Sequence, residues 1–183
     1  MKVTELKLSG LMLIEPRLFL DDRGFFFESF SQREFEAETG SQVDFVQDNH
    51  SRSLRGVLRG LHYQMPSSSQ GKLVRVVRGS VWDVAVDIRK SSKTFGQWVG
   101  QLLTEENHLQ MWIPPGFAHG FVTLSDSAEY LYKTTGYYDR SAERGIAWND
   151  PDIGIEWPQL DIAFSLSEKD RNQPAFKRAE LFD

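Results

Sequence analysis

The 183-residue chain has no cysteine, which removes disulfides, cysteine-type zinc clusters and thiol nucleophiles. Any catalysis is therefore oxygen and nitrogen chemistry. No stretch approaches the roughly 18 to 20 apolar residues that span a bilayer. The opening segment, Met1 to Lys7, alternates charged and apolar residues instead of forming the apolar run of a secretory signal. A cytoplasmic location with no membrane partner is the expectation. Basic charge is also short, with 21 Lys and Arg against 26 Asp and Glu and a net charge of -5, so nucleic acid is not an expected partner. Against that background Arg52, Arg55, Arg59, Lys72, Arg75 and Arg78 lie close together. The cluster suits a small anionic ligand such as a diphosphate, and it equally describes an ordinary solvated face.

No internal repeat, low-complexity tract or linker divides the sequence, and its length supports one substantial core. A single domain over residues 1–183 is expected. Val81 to Ile88 places Trp82, Val84, Val86 and Ile88 on one face of a strand and Asp83, Ala85 and Asp87 on the other. Gly79-Ser80 joins it to the β-rich run Leu73 to Val77, so the two read as a hairpin. Further short strands are expected at Trp98 to Leu103, Leu109 to Ile113, Gly120 to Leu124 and Tyr130 to Thr135. Many short, turn-bounded strands indicate a sandwich or barrel. One helix stands out: Ser31-Gln32-Arg33-Glu34 matches a capping box, Phe35 is an apolar anchor and Gly40 is a stop signal. After it, Asp150-Pro151 and Trp157-Pro158 break the last third into loops.

Two segments carry the chemistry: Arg59-Gly60-Leu61-His62-Tyr63-Gln64 and Pro114-Pro115-Gly116-Phe117-Ala118-His119. Histidine titrates near neutrality and can take or give a proton. The layout resembles a double-stranded β-helix of the cupin type, an all-β jelly-roll barrel with a few short helices. Metal-binding cupins carry a second histidine two residues after the first, where this chain has Gln64. Two histidines fall short of the three protein ligands a catalytic metal ordinarily needs, so no metal is expected. The bland alternative is a pair of core histidines satisfied by hydrogen bonds.

Read in order, Arg23 to Glu28, Gln47 to Ser51, Leu58 to Gln64, Gly71 to Arg75, the Pro-Pro-Gly-Phe-Ala-His-Gly run and Tyr130 to Thr135 resemble the dTDP-4-dehydrorhamnose 3,5-epimerase family over essentially the whole chain. The resemblance implies a homodimeric, cofactor-independent isomerase that inverts C3 and C5 of dTDP-4-keto-6-deoxy-D-glucose, giving dTDP-4-keto-L-rhamnose. It also implies that His62 pairs with a late aspartate, Asp170. Asp83, on the polar face of its strand, is the alternative partner. The matched binding positions are Arg23, Glu28, Gln47, Asn49, Arg59, His119, Glu143 and Lys169, with Tyr138 as a stacking surface for thymine.

The residue chemistry agrees with that resemblance. A carbon acid beside a ketone loses its proton only when a base removes it and a fixed charge steadies the enolate oxygen. His62 suits the first role and Lys72 the second. Tyr132, a neutral hydroxyl at pH 7, can hold a proton for delivery to the opposite face. A related nucleotide-sugar 3- or 5-epimerase would use the same three groups, and a non-catalytic sugar-nucleotide-binding cupin would keep only the binding positions.

Overall fold

The computed structural model describes residues 1–183. Its elements run β1 (Lys2–Glu5), β2 (Met12–Glu15), β3 (Phe19–Asp21), β4 (Gly24–Phe26), α1 (Gln32–Thr39), β5 (Gln47–Leu54), β6 (Leu58–Gln64), β7 (Lys72–Arg78), β8 (Ser80–Asp87), β9 (Trp98–Thr104), β10 (Gln110–Ile113), β11 (Phe117–Thr123), β12 (Ser127–Thr134), β13 (Glu143–Gly145) and α2 (Glu168–Arg171). Two antiparallel sheets face each other, one ordered β1-β2-β10-β7-β12-β5 and the other β13-β6-β11-β8-β9. From β5 to β13 the chain passes from one sheet to the other at every step except the β8–β9 hairpin, which is a jelly roll. The short β3–β4 hairpin stands apart as a two-stranded arm.

The hairpin expected between β7 and β8 does not form. β7 pairs with β10 and β12, whereas β8 pairs with β9 and β11. Gly79 is where the chain leaves one sheet for the other. Its φ of +73° favours glycine, and a Cβ there would run into Ser127 and Ser125. Two apolar runs joined by a glycine turn look the same whether they pair or part, because alternation reports faces and not partners.

The expected face assignment of β8 holds, with both faces covered. Val81 and Ala85 pack between the sheets with Val74, Val76, Leu103, Met111, Phe121 and Tyr130. Val84, Val86 and Ile88 pack outward beneath the C-terminal segment, against Ile146, Ile153, Phe176 and Leu181. The polar face thus looks into the barrel, and Asp83 is buried within it. The other sheet is covered in part by α1, whose Phe35 packs on Ile14, Leu73 and Trp112.

Helix α1 begins after Ser31 and ends at Gly40 in the left-handed conformation. The capping box does not close, since the Ser31 side chain makes no capping hydrogen bond. Gln32 ties the first turn instead, donating to Glu36 at 2.6 Å and to the Val43 carbonyl at 2.5 Å. The expected strands at 98–103, 109–113, 120–124 and 130–135 appear as β9 to β12 with bounds moved by up to three residues.

Candidate active site

A cleft of about 590 Å³ opens between the sheets, lined among others by Arg59, His62, Lys72, His119, Tyr132, Lys169 and Asp170. An adjoining lobe of about 370 Å³ shares His62, Lys72 and Tyr132 and adds Gln47, Asn49, Tyr138 and Glu143. Each wall comes from a different sheet. His62 and Arg59 project from β6 and His119 from β11, while Lys72 projects from β7, Tyr132 from β12, and Gln47 and Asn49 from β5.

His62 and His119 sit opposite each other on paired strands. Gly60, beside them, permits this close packing: its φ is +130°, and a Cβ there would come within 2.5 Å of the Gly120 Cα. Each imidazole has its own carboxylate. His62 Nε2 lies 2.5 Å from Asp170 Oδ1, and His119 Nε2 lies 2.9 Å from Asp83 Oδ1. Asp83 therefore serves His119, which excludes it as the partner of His62. An Nε2–H donated to Asp170 leaves His62 Nδ1 as the basic nitrogen.

Burial would raise the pKa of Asp170, but the hydrogen bonds and charges of His62, Ser167 and Lys169 outweigh it and hold the carboxyl below its ordinary value. Burial pushes the Lys72 ammonium down to about 8, against the pull of Asp83 and Glu143. Burial raises the Tyr132 phenol, so it keeps its proton at neutral pH. Glu143 accepts from the Tyr138 hydroxyl at 2.8 Å and forms an ion pair with Lys169, linking the outer lobe to α2.

Gln64, the residue in the place of a metal cupin's second histidine, turns to backbone. Its amide donates to the Ser68 carbonyl at 2.6 Å and its oxygen accepts from the Asp139 N–H at 2.8 Å. No group of three His, Cys, Asp or Glu side chains is arranged to hold a metal ion.

Arg23 and Glu28 are the two predicted binding residues that line neither lobe. Arg23 sits on the exposed β3–β4 arm, paired with Asp21, and Glu28 follows that arm. Sequence reasoning in turn missed Tyr130, which donates to Asp83 and stacks on Phe121. It also missed the strap Ser165–Ser167, which forms one wall. Tyr130 was findable, since it lies two residues from Tyr132 and so on the same strand face. The strap carries no periodic signal.

A jelly roll whose cleft gathers a histidine–aspartate pair, an ammonium and a protonated phenol is a cupin-type barrel equipped to move a proton. The family model for dTDP-4-dehydrorhamnose 3,5-epimerase matches residues 5–178. The curated dTDP-4-dehydrorhamnose 3,5-epimerase of Pseudomonas aeruginosa is 60% identical over 182 residues, covering 100% of this chain and 99% of its own. The chain belongs to the dTDP-4-dehydrorhamnose 3,5-epimerase family. Among solved structures, the Legionella pneumophila dTDP-6-deoxy-D-glucose-3,5-epimerase in complex with dTDP-4-keto-L-rhamnose superposes with a TM-score of 0.93 at 48% identity, covering 97% of this chain and 93% of that one. A 3'-monoepimerase from Streptomyces bikiniensis in complex with dTDP-quinovose gives a TM-score of 0.88 at 35% identity, covering 94% and 86%.

Proposed function

We propose that this epimerase inverts C3 and C5 of dTDP-4-keto-6-deoxy-D-glucose with His62 as base, Tyr132 as acid and Lys72 as the enolate's counter-charge. The observation that carries the roles is that His62 and Tyr132 project into one cleft from opposite sheets. Facing sheets pack about 10 Å apart, which leaves room for a sugar ring between base and acid. Nδ1 of His62 takes the proton from the carbon beside the C4 ketone, the C–H electron pair forms a double bond to C4, and the carbonyl π pair moves onto the C4 oxygen. The Lys72 ammonium steadies that oxyanion in a site of low dielectric. The Tyr132 hydroxyl then returns a proton to the opposite face, and the stereocentre is inverted. Once His62 has released its proton to solvent and Tyr132 has regained one from it, a second cycle at the other carbon uses the same groups, because C3 and C5 both flank C4.

Arg59, with Nε held by the Ser53 hydroxyl at 3.0 Å, is assigned to the diphosphate, where a guanidinium makes charge-assisted hydrogen bonds. Tyr138, half exposed at the outer lobe, is the stacking surface for thymine. Gln47, Asn49, His119, Glu143 and Lys169 bind nucleotide or sugar.

The proposal includes a homodimer. Phe19, Leu20, Phe25 and Phe26 are all exposed on the β3–β4 arm, a patch of the kind that marks an interface. Seated on a second copy, the arm would carry Arg23 and Glu28 to the partner's cleft. A dTDP-linked sugar is a charged diphosphate that does not cross a membrane unaided, which favours a cytoplasmic enzyme. The test of the reaction is incubation with dTDP-4-keto-6-deoxy-D-glucose in deuterated water, followed by NMR. Label at both C3 and C5 is expected, and label confined to C3 would overturn the double inversion.

A further inference from the structure

The carboxylate that holds His62 is itself held. Asp170 presents Oδ1 to His62 Nε2 at 2.5 Å, and its Oδ2 accepts a hydrogen bond from the Ser167 hydroxyl at 2.8 Å. The same hydroxyl oxygen accepts the Asp170 N–H at 3.1 Å. One side chain thus caps the turn of α2 and fixes the carboxyl group that the turn carries. Lys169, the neighbouring cation, is engaged by Glu143, so Ser167 is the side chain that bonds Oδ2.

The strap bearing Ser167 is anchored on the strand side of the cleft. Ser165 forms a parallel bridge to Val57, with Leu58 N–H donating to the Ser165 carbonyl at 3.0 Å and Ser165 N–H to the Gly56 carbonyl at 2.8 Å. Ser167 opens on the cleft that His62 also lines, whereas Asp170 behind it is only 4% exposed.

We propose that Ser167 is a positioning residue of the epimerisation, locking the Asp170 carboxylate in the rotation that aims Oδ1 at His62. A carboxyl group turns about a broad, roughly two-fold torsion, so a hydrogen bond at one oxygen leaves its plane free to roll. A second bond at the other oxygen fixes that plane, and with it the imidazole tautomer that keeps Nδ1 unprotonated and aimed. The inference rests on the His62–Asp170 reading given above.

The test compares Ser167→Ala, Ser167→Gly and Ser167→Thr with His62→Asn, by steady-state kinetics and by proton NMR of the low-field His62 N–H. Glycine is well tolerated at a helix N-cap, so Ser167→Gly removes the hydroxyl even if Ser167→Ala folds poorly. Loss of a second-sphere orienting group commonly costs about 10- to 100-fold in activity. We expect kcat to fall in that range in Ser167→Ala and Ser167→Gly with KM little changed, and the low-field resonance to broaden or vanish. Ser167→Thr, which keeps the hydroxyl, should restore both. Unchanged kcat and an unchanged resonance in Ser167→Gly would overturn the proposal and reduce Ser167 to a helix cap, whatever happens to thermal stability. Full turnover in His62→Asn would instead overturn the underlying reading of the base, and the positioning role with it.

Discussion

His62 and Asp170 are 108 positions apart in the chain and 2.5 Å apart in the fold. That contact fixes the tautomer of the imidazole, with Nε2–H toward the carboxylate and Nδ1 toward the cleft. His62→Asn should therefore lower turnover by about 10²- to 10⁴-fold, the usual worth of a positioned general base. Exchange of the substrate's α-protons with deuterated water, followed by NMR, should fall in parallel. Exchange that persists at the wild-type rate would assign the base elsewhere.

Lys72 supplies a pH prediction in which activity and stability move in opposite directions. With its pKa lowered to about 8 by burial, the ammonium is lost as pH rises through that value, and kcat/KM should fall with it. In the unfolded chain Lys72 keeps its proton to about 10.4. Between these two values the unfolded state binds more protons, so for this group raising the pH favours the folded state. Lys72→Met should abolish the alkaline limb together with most activity. Thermal melts across pH 8 to 10 should show wild type gaining stability relative to that variant.

Tyr132→Phe separates proton removal from proton return. Burial keeps the phenol protonated at neutral pH, and its assigned role begins only after the enolate forms. The variant should lose about 10²-fold or more in product formation, while His62 continues to exchange label into recovered substrate. Equal loss of exchange and inversion would place Tyr132 in the first step as well.

The exposed arm makes a prediction about subunits. If Arg23 serves a partner's cleft, Arg23→Ala should raise KM about 10- to 100-fold, the worth of a hydrogen bond between charged groups. A heterodimer of Arg23→Ala and His62→Asn subunits should regain one intact site, with His62 from one chain and Arg23 from the other. Coexpression with two affinity tags, followed by an activity assay of the mixed species, reads this directly. Were both residues to act on the same chain's cleft, no site in the mixture would be whole.

Gly60 is a stability prediction with a catalytic consequence. A Cβ at this position meets the Gly120 Cα at 2.5 Å, on a backbone with φ of +130°. Gly60→Ala should cost at least about 1 to 3 kcal/mol, the range for overpacking a tight contact. Chemical denaturation would measure it. Because Gly60 lies two residues before His62, the folded fraction should also lose turnover.

The residues that meet in the cleft were legible from one scarce residue type and from the order of several motifs. With four histidines and no cysteine, His62 had few competitors, whereas Lys72 and Tyr132 are ordinary when read singly and stood out only through the order of motifs shared with one family. Strand faces were legible too, since period-two alternation encodes them: Val84 and Val86 face one way and Asp83 the other. Partners were not. β7 and β8 looked like a hairpin and belong to different sheets, because pairing is decided by which surfaces close the barrel and not by the turn alone. Asp83 illustrates the same limit. Its inward direction was readable, but whether it met His62 or His119 depended on the register of β6, β8 and β11. Ser31 shows that a correct boundary can carry the wrong local reason, since the helix starts there without the cap bond its sequence advertises.

The strap that joins Val57 to Ser165 and delivers Asp170 also sets the order of events during synthesis. A ribosome makes His62 more than a hundred residues before the carboxylate that completes it, so a nascent chain can shape most of the barrel while its base is still unaligned. At typical elongation rates of about 5 to 20 residues per second, several seconds separate the two. On the proposed roles of His62 and Asp170, proton abstraction would wait until the final stretch has packed against the cleft, and turnover would report complete folding.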